Sequence, residues 1–359
     1  MPRALRNWPA QPPEFDSLDV PPTPTIEPPG ETSPPSPSPE ATSGDLSFWV
    51  DRLVALRVAA DRRCSPNLID QLHAALRRPI DTILCHALDT DPAACVLSAS
   101  AAGRVPELVA GVALLARLAN ATSRLIVLDD RAPSGWWSKL RLVARAATLK
   151  TISLENDYPQ ADPTLLLYTL LGRRLRPGRL PVEQGVLMLD AAAAIAIGAA
   201  ALADEAMQRV PMVLRDHDRG ESFFLTVPVG CTVGSVLSIV RPQLQAGADT
   251  SGFLLRAGDV LRDDQVTLDA VLGTSELVVH LSTTPPAVNP QPCIRCGWCY
   301  ESCPTRVQPA DVLEAAQRDD RELAERAGLE SCIECGICAY VCPSKLPLLA
   351  GIRTIRKAP

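Results

Sequence analysis

Two cysteine arrays near the end of the sequence share one spacing, Cys-x-x-Cys-x-x-Cys-x-x-x-Cys-Pro. Their eight cysteines are Cys293, Cys296, Cys299, Cys303, Cys332, Cys335, Cys338 and Cys342. Disulfides belong to oxidising compartments, and the first residues of this chain show no apolar run that could act as an export signal. A repeated spacing without such a signal predicts metal ligands rather than disulfides.

The spacing is that of a loop wrapped around three corners of an iron–sulfur cube, with the fourth ligand taken from the last cysteine of the other array. We therefore predict two [4Fe–4S] clusters with exchanged fourth ligands. The predicted ligands of the first cluster are Cys293, Cys296, Cys299 and Cys342. The predicted ligands of the second cluster are Cys332, Cys335, Cys338 and Cys303.

Zinc ribbons and plain buried cysteines are the alternatives to this interpretation. Zinc sites usually pair two Cys-x₂₋₄-Cys hooks, whereas each array here presents three evenly spaced thiolates and a Cys-Pro. The spacing therefore favours iron and sulfide. A chain with two linked clusters is suited to passing single electrons along a line.

Length and proline content divide the chain into regions. A chain of 359 residues exceeds what one hydrophobic core usually serves. Residues 1–45 hold 13 of the 34 prolines and few apolar clusters, so we predict a disordered tail there. The folded regions are predicted to be an α/β domain over 46–208, a β-grasp domain over 209–284 and a helical two-cluster ferredoxin domain over 285–359.

The α/β prediction depends on the alternation of short apolar runs with helical patterns. Apolar spacing over 46–76 predicts two helices before the sheet. The predicted strands then cover 80–85, 124–128, 148–154 and 186–189, and the predicted helices cover 106–119, 136–147 and 163–171. This order is typical of a parallel sheet.

The pattern changes after residue 208. Strands are predicted over 212–215, 223–227, 253–255 and 277–281, with a helix over 233–240, as in a small β-grasp module. Residues 285–290 are rich in proline and predict a stiff linker. Helix formers over 309–328 and an apolar repeat over 346–355 predict helices around the clusters, the second of which we expect to pack on the ferredoxin module itself.

Charge and hydropathy narrow the partners and the location. The net charge of −6 and the scarcity of aromatic residues argue against nucleic acid as a partner. The longest apolar segment, residues 191–203, is too short to span a membrane. We expect a cytoplasmic protein without a transmembrane segment, and its docking on a membrane-bound or multi-subunit redox complex is left open.

One string in the α/β region has the form Tyr158-Pro159-Gln160 … Gly172-Arg173 … Gly178-Arg179-Leu180-Pro181. Together with the cysteine arrays and the β-grasp segment, it resembles the C subunit of the Rnf/Rsx electron transport complexes, a family that also includes a microcompartment cobalamin reductase. The resemblance covers about residues 65–357. It implies an α/β domain related to the flavin-carrying subunit of respiratory complex I, an SLBB-like β-grasp insert, and FMN and NADH that feed electrons to the clusters.

The residues expected to touch flavin depart from the family pattern. The family's Asn-Val-x-Thr-Ala becomes Asp190-Ala-Ala-Ala193-Ala, and the asparagine at the end of an earlier strand becomes His86. Residues 45–102 contain no glycine, although the family has a glycine-rich phosphate loop there. The resemblance therefore predicts that flavin and nucleotide binding is lost or severely altered, with FMN retained only as an option.

Several residues invite a functional interpretation that the sequence does not favour. We expect Arg62 and Arg63 to be a solvated charge pair and His86 to be a strand-end histidine in a decayed pocket. Four cysteines lack ligand spacing and are expected to be buried small hydrophobes; they are Cys64, Cys85, Cys95 and Cys231. The pair Trp136-Trp137 is expected to pack at a helix start.

Three hypotheses for function remain at this point. The first is an electron-transfer subunit that relays single electrons through two [4Fe–4S] clusters between donor and acceptor proteins. The second is an NADH-oxidising FMN and iron–sulfur oxidoreductase subunit with an atypical flavin site. The third is an assembly or adaptor protein that keeps clusters for structural reasons.

Overall fold

The computed structural model describes residues 16–17, 44–91, 94–240, 254–259, 261–262, 264–272, 277–282 and 289–357. The strands are β1 (Asp16–Ser17), β2 (Thr82–His86), β3 (Ser123–Asp129), β4 (Lys150–Leu154), β5 (Val186–Asp190), β6 (Arg209–Asp216), β7 (Glu221–Pro228), β8 (Leu254–Ala257), β9 (Asp264–Gln265) and β10 (Val278–Ser282). The helices are α1 (Leu46–Ala55), α2 (Leu68–Ala75), α3 (Val96–Gly103), α4 (Val105–Leu118), α5 (Ser134–Ala146), α6 (Pro163–Leu171), α7 (Ala191–Ala203), α8 (Val233–Val240), α9 (Trp298–Glu301), α10 (Pro309–Arg318), α11 (Arg321–Arg326), α12 (Ile337–Val341) and α13 (Leu348–Lys357).

The first sheet is parallel and four-stranded, in the order β4-β3-β2-β5. All residues of β2 and β5 are buried, as expected for strands that helices cover on both faces. The chain adds β3 and β4 on one side of β2 and then crosses to add β5 on the other side. The order therefore reverses between β2 and β5, and such a reversal leaves a crevice at the carboxyl ends of the two strands.

Helices α4 and α7 pack closely against each other beside this sheet. Gly111 and Gly198 allow the close approach: a Cβ on Gly111 would lie 2.0 Å from the carbonyl oxygen of Ala194, and one on Gly198 would lie 1.8 Å from that of Glu107. Larger residues at these two positions would force the helices apart. Because α7 is apolar on all sides and is buried along most of its length up to Ala200, it shows no amphipathic period.

The second sheet is mixed and six-stranded, in the order β1-β7-β6-β10-β8-β9. Strands β6 and β7 form an antiparallel hairpin, β10 returns parallel to β6, and α8 buries Val233, Val236, Leu237 and Val240. Residues 16–17 form β1 within the segment predicted to be disordered. The rest of that predicted tail up to residue 43, and residues 285–288 of the predicted linker over 285–290, lie outside the described residues.

A helical module built from α9 to α13 carries both cysteine arrays. Helix α13 packs on α10 and buries Leu348, Ile352 and Ile355, which confirms that the C-terminal helix packs on the module itself. The segment predicted to be helical over 309–328 forms two helices. Asp319 has φ +53°, and the Asp320 carboxylate accepts a hydrogen bond from the amide of Leu323 to start α11.

In the part of the chain that the structure describes, no single helix is long and apolar enough to cross a membrane. Helices α3 and α4 reach that length and apolarity only as a pair, and they meet at an angle of 95°.

Candidate iron–sulfur centres and the crevice of the parallel sheet

The two cysteine arrays fold into the same backbone turn. Arg295 and Glu334, which follow the first cysteines, both have φ +53°, and Gly297 and Gly336 have φ +81° and +78°. The amide of Arg295 donates to the sulfur of Cys293 at 3.4 Å, and the amide of Glu334 donates to that of Cys332 at 3.3 Å. Each turn therefore directs backbone N–H groups at its own thiol, which favours a negatively charged sulfur.

The structure sorts the eight cysteines into two groups of four. One cavity, of about 880 Å³, is lined by the cysteines that we call the outer site: Cys293, Cys296, Cys299 and Cys342. A second, smaller cavity is lined by the cysteines that we call the inner site: Cys303, Cys332, Cys335 and Cys338. In both cavities, three cysteines of one array meet the last cysteine of the other array.

This arrangement suits a cluster better than a single ion. A zinc ion would need four ligands about 2.1–2.3 Å from one point. Within the described ranges, no three His, Cys, Asp or Glu side chains converge in the manner of ligands to one metal ion. Each cysteine of a [4Fe–4S] site binds its own iron, so four thiols spread around a cavity fit that group.

The two sites differ in exposure. Cys332, Cys335 and Cys338 of the inner site are buried, whereas Cys293 and Cys296 of the outer site are exposed. Burial raises the pKa of the Cys335 thiol to about 11 and raises that of Cys338 further above its usual value. Since iron binds thiolates, loading the inner site must release protons from these buried thiols.

The loop of residues 332–338, which carries three cysteines of the inner site, is held against the rest of the chain by hydrogen bonds and close packing. The Tyr158 hydroxyl donates a hydrogen bond to the carbonyl of Cys335 at 2.5 Å, and the Arg262 guanidinium donates to the carbonyl of Ile333 at 3.3 Å. A Cβ on Gly336 would lie 2.1 Å from the carbonyl oxygen of Leu261. The loop therefore touches both the α/β domain and the second sheet.

Glu334 also holds the loop of residues 332–338 in place, through ion pairs with arginines. Its carboxylate pairs with Arg353 at 3.2 Å, with Arg356, and with Arg63 from the α/β domain at 3.5 Å. Burial alone would raise the pKa of Glu334, but the charge of Arg356 and its hydrogen bond outweigh burial and hold this pKa below its usual value. The carboxylate therefore stays ionised and tied to the arginines.

The crevice at the carboxyl ends of β2 and β5 contains a buried ion pair. His86 and Asp190 end the two strands and face each other in register. The Arg62 guanidinium donates to both Asp190 carboxylate oxygens, from Nε at 2.5 Å and from Nη2 at 2.8 Å. The prediction that Arg62 is solvated was wrong, because its loop folds back over the strand ends and Asp190 compensates the buried charge.

The loop that carries Arg62 is held on the sheet by further hydrogen bonds. His86 donates from Nε2 to the carbonyl of Cys64 at 2.8 Å, and the amide of Asp190 donates to the Ser65 hydroxyl at 3.2 Å. Burial opposes ionisation of Asp190, but Arg62 outweighs burial and lowers the pKa of this carboxyl. Burial also lowers the pKa of His86, so the imidazole is neutral at pH 7.

These residues do not fit FMN. Asp190 stands where the family resemblance places a flavin-contacting asparagine, and His86 replaces another asparagine of the family pattern. Both side chains are fully buried against the segment that replaces the phosphate loop. A phosphate cradle needs backbone N–H groups that no side chain covers. Here the side chain of Arg62 and the carbonyl of Cys64 occupy the strand ends instead.

Other predicted residues take structural roles. The four cysteines without ligand spacing are buried, as predicted. Trp136 and Trp137 are buried at the start of α5, which confirms their packing role. His217 and His280, which are far apart in the sequence, meet with 2.9 Å between Nε2 and Nδ1. Tyr158 could be singled out from the sequence because it begins the Tyr-Pro-Gln string. Its hydrogen bond to the carbonyl of Cys335 could not be predicted, because the two residues are far apart in the sequence.

Two family models match the chain in separate regions. The model described as the Nuo51 FMN-binding domain matches residues 70–199, and the 4Fe-4S dicluster domain matches residues 286–343. The second match supports two [4Fe–4S] clusters in the helical module. The first match agrees with the parallel sheet and its helices.

Curated relatives include C subunits of ion-translocating complexes. The C subunit of the Na⁺-translocating ferredoxin:NAD⁺ oxidoreductase complex of Acetobacterium woodii is 23% identical over 67% of this chain and 54% of its own length. The C subunit of the ion-translocating oxidoreductase complex of Pasteurella multocida is 28% identical over 69% of this chain and 30% of its own length. The chain thus spans about half or less of these relatives.

A solved structure shares the fold. A chain of an NAD⁺-reducing [NiFe]-hydrogenase in the H₂-reduced state superposes with a TM-score of 0.55 at 15% identity, covering 88% of this chain and 62% of that chain. This similarity concerns the overall fold. The chain is therefore a relative of the C subunits of ion-translocating oxidoreductase complexes. This conclusion follows from the cysteine motifs, the two family-model matches and the similarity to the curated C subunits.

Proposed function

We propose that the chain is an electron-transfer protein that relays single electrons through two [4Fe–4S] clusters as a subunit of a larger redox complex. The observation that carries the proposal is the division of eight cysteines between two sites in one module, one buried against the rest of the chain and one exposed. The dicluster match and the relatives' names support it.

Residues of this chain would bind each cluster and determine how far each site is shielded from water. The clusters, when bound, accept and release single electrons. Cys293, Cys296, Cys299 and Cys342 would hold the outer cluster, and Cys303, Cys332, Cys335 and Cys338 the inner one. Contacts from Tyr158, Arg262 and Gly336 hold the inner loop against the neighbouring domains, away from bulk water.

The outer site is where a redox partner protein would approach. Cys293 and Cys296 are exposed. Ile294, which lies between them in the sequence, is 68% exposed, and Trp298, which follows Cys296 by two residues, is 55% exposed. Exposed apolar side chains around a redox group are typical of a protein contact. We infer that the donor or the acceptor docks on this face.

The remaining organisation follows from the same proposal. We infer that the tail covers 1–45, the α/β domain 46–208, an SLBB-like β-grasp domain 209–284 and the ferredoxin domain 285–359. The hairpin β6–β7, the helix α8 and the parallel return of β10 support the β-grasp assignment. We place the protein in the cytoplasm, peripheral to a membrane complex.

Metal and sulfide content tests the proposal directly. Anaerobically purified protein should contain about eight iron and eight inorganic sulfide per chain, as expected for two [4Fe–4S] clusters. Reduction with dithionite should produce the electron paramagnetic resonance signals of reduced clusters. Two zinc ions per chain without sulfide would contradict the proposal.

An NADH-oxidising flavoprotein is the second candidate, and the match to the Nuo51 FMN-binding domain over residues 70–199 favours it. The same anaerobic sample distinguishes the two candidates. One FMN per chain together with rapid cluster reduction by NADH would select the flavoprotein.

A further inference from the structure

The crevice between β2 and β5 is the place where this sheet would bind a cofactor. In open α/β sheets, ligands bind outside the carboxyl ends of the strands where the strand order reverses. In this chain that point lies between His86 and Asp190, which are register partners at the ends of β2 and β5. A cofactor bound there would have to rest on these two residues.

In this chain the ion pair of Arg62 and Asp190 occupies the crevice. Asp190 has no solvent exposure, and the Arg62 side chain is 3% exposed. Asp190 also accepts a hydrogen bond from the amide of Ala193 at 2.8 Å and so caps α7. A cleft of about 820 Å³ lies beside Arg62, but neither His86 nor Asp190 lines it.

A flavin that rested on His86 and Asp190 would have to displace Arg62. That movement would leave the Asp190 carboxylate buried without its positive partner, and an unpaired buried charge is strongly unfavourable. The loop of Arg62 is also closed on itself, because Arg62 and Ser65 exchange backbone hydrogen bonds of 2.8 and 2.9 Å. The ion pair and the loop therefore oppose cofactor entry together.

We propose that the Arg62–Asp190 ion pair closes the cofactor crevice, so that the α/β domain takes no flavin. Where the chain carries its clusters, electrons then reach them from a separate protein. This second half rests on the proposed electron-transfer function, whereas the closure of the crevice does not.

The first test uses the full chain, isolated anaerobically. We expect no FMN at stoichiometric level in the released cofactor fraction, no quenching of FMN fluorescence on titration, and cluster reduction by dithionite but not by NADH. One bound FMN per chain would overturn the closure. Iron and sulfide are measured in the same sample: clusters with FMN contradict only the closure, whereas absence of both clusters and FMN contradicts only the relay.

The second test separates the ion pair from simple packing. Arg62→Met leaves the Asp190 carboxylate buried alone, whereas Arg62→Met/Asp190→Asn removes both charges and keeps an acceptor for the α7 cap. We expect the single variant to have the lower thermal midpoint and the double variant to recover at least half of the loss. Arg78→Met, at an exposed arginine of the same domain, is the control and should change the midpoint little.

The pH dependence sharpens this test. In Arg62→Met, the folded-state pKa of Asp190 should rise above its unfolded value, so the folded state binds more protons and its stability should increase as the pH falls from 8 to 5. Wild type and the double variant also contain Asp89, whose pKa burial raises to about 7, so their stability changes with pH too, and the increase should be larger in Arg62→Met than in either of them. Equal midpoints for the single and double variants, with the pH dependence of wild type in both, would show that Arg62 acts by packing alone.

Discussion

Cys342 and Cys303 determine how the eight ligands are shared. Each is the last cysteine of its own array and lines the cavity of the other array. Two independent four-cysteine loops would keep each of them with its own array. The structure brings together the exchanged sets that the spacing predicts, and the assignment of the ligands stays a prediction until the clusters are measured.

Serine variants test the exchange. Cys342→Ser should reduce the iron content from about eight to about four per chain, as Cys296→Ser should, because both residues belong to the outer site. The double variant Cys296→Ser/Cys342→Ser should lose no more iron than either single variant. Cys303→Ser/Cys342→Ser should lose nearly all of it.

Cys231→Ser is the matched control for these variants. Cys231 is buried in the hydrophobic core between the second sheet and α8 and lies outside both sites, so its variant should keep about eight iron. If Cys296→Ser/Cys342→Ser lost both clusters, the ligands would not be exchanged. Cys303→Ser/Cys342→Ser removes one ligand from each cluster in either arrangement and is the reference for complete loss.

At the scale of elements, the loop of the inner site depends on one glycine. Gly336 and Gly297 have nearly the same positive φ, so an alanine strains both turns alike. Only at Gly336 would the added Cβ meet another element, the carbonyl of Leu261. Gly336→Ala should therefore lower the thermal midpoint and the iron content more than Gly297→Ala. Equal effects would indicate that the contact with Leu261 is unimportant.

The α4–α7 pair gives a second prediction at this scale. Gly198→Ala should reduce the free energy of unfolding by about 1–3 kcal/mol, because the new methyl group overlaps the carbonyl of Glu107. Gly135→Ala, in α5 with nothing within 4 Å of its Cβ, should be neutral or slightly stabilising. Urea unfolding measures both. A loss at Gly135 as large as at Gly198 would contradict the packing argument.

Elements were predictable where their signals were local. Helix α6 was predicted with its bounds, because Asp162 caps it and Pro163 opens it, and α8 was also predicted with its bounds. Helix α3 was not predicted: it is buried on all sides, begins after Cys95 in a left-handed conformation and has no side-chain cap. A helix without an apolar stripe or a cap leaves no periodic signal in the sequence.

At the scale of the whole molecule, the two sites should respond differently to attack from solvent. A chelator with a mild oxidant should remove iron in two phases, about four iron per chain fast and about four slow, because Cys293 and Cys296 are exposed and the inner site is packed against two other domains. Iron release followed by absorbance measures the phases. In Cys342→Ser, the fast phase should be absent, and a single phase for all eight iron in wild type would contradict the difference between the sites.

The sequence by itself determined the features that neighbouring residues encode: the spacing of the thiols, the alternation of strands and helices, and the loss of the glycine-rich loop. Only the tertiary structure decided that Arg62 is buried on Asp190, 128 residues away, and that one cysteine site is exposed while the other is enclosed. The physical reason is that burying a charge depends on a compensating partner, and exposure depends on which domains cover a loop. Both are properties of distant segments brought together by folding, so no local pattern records them.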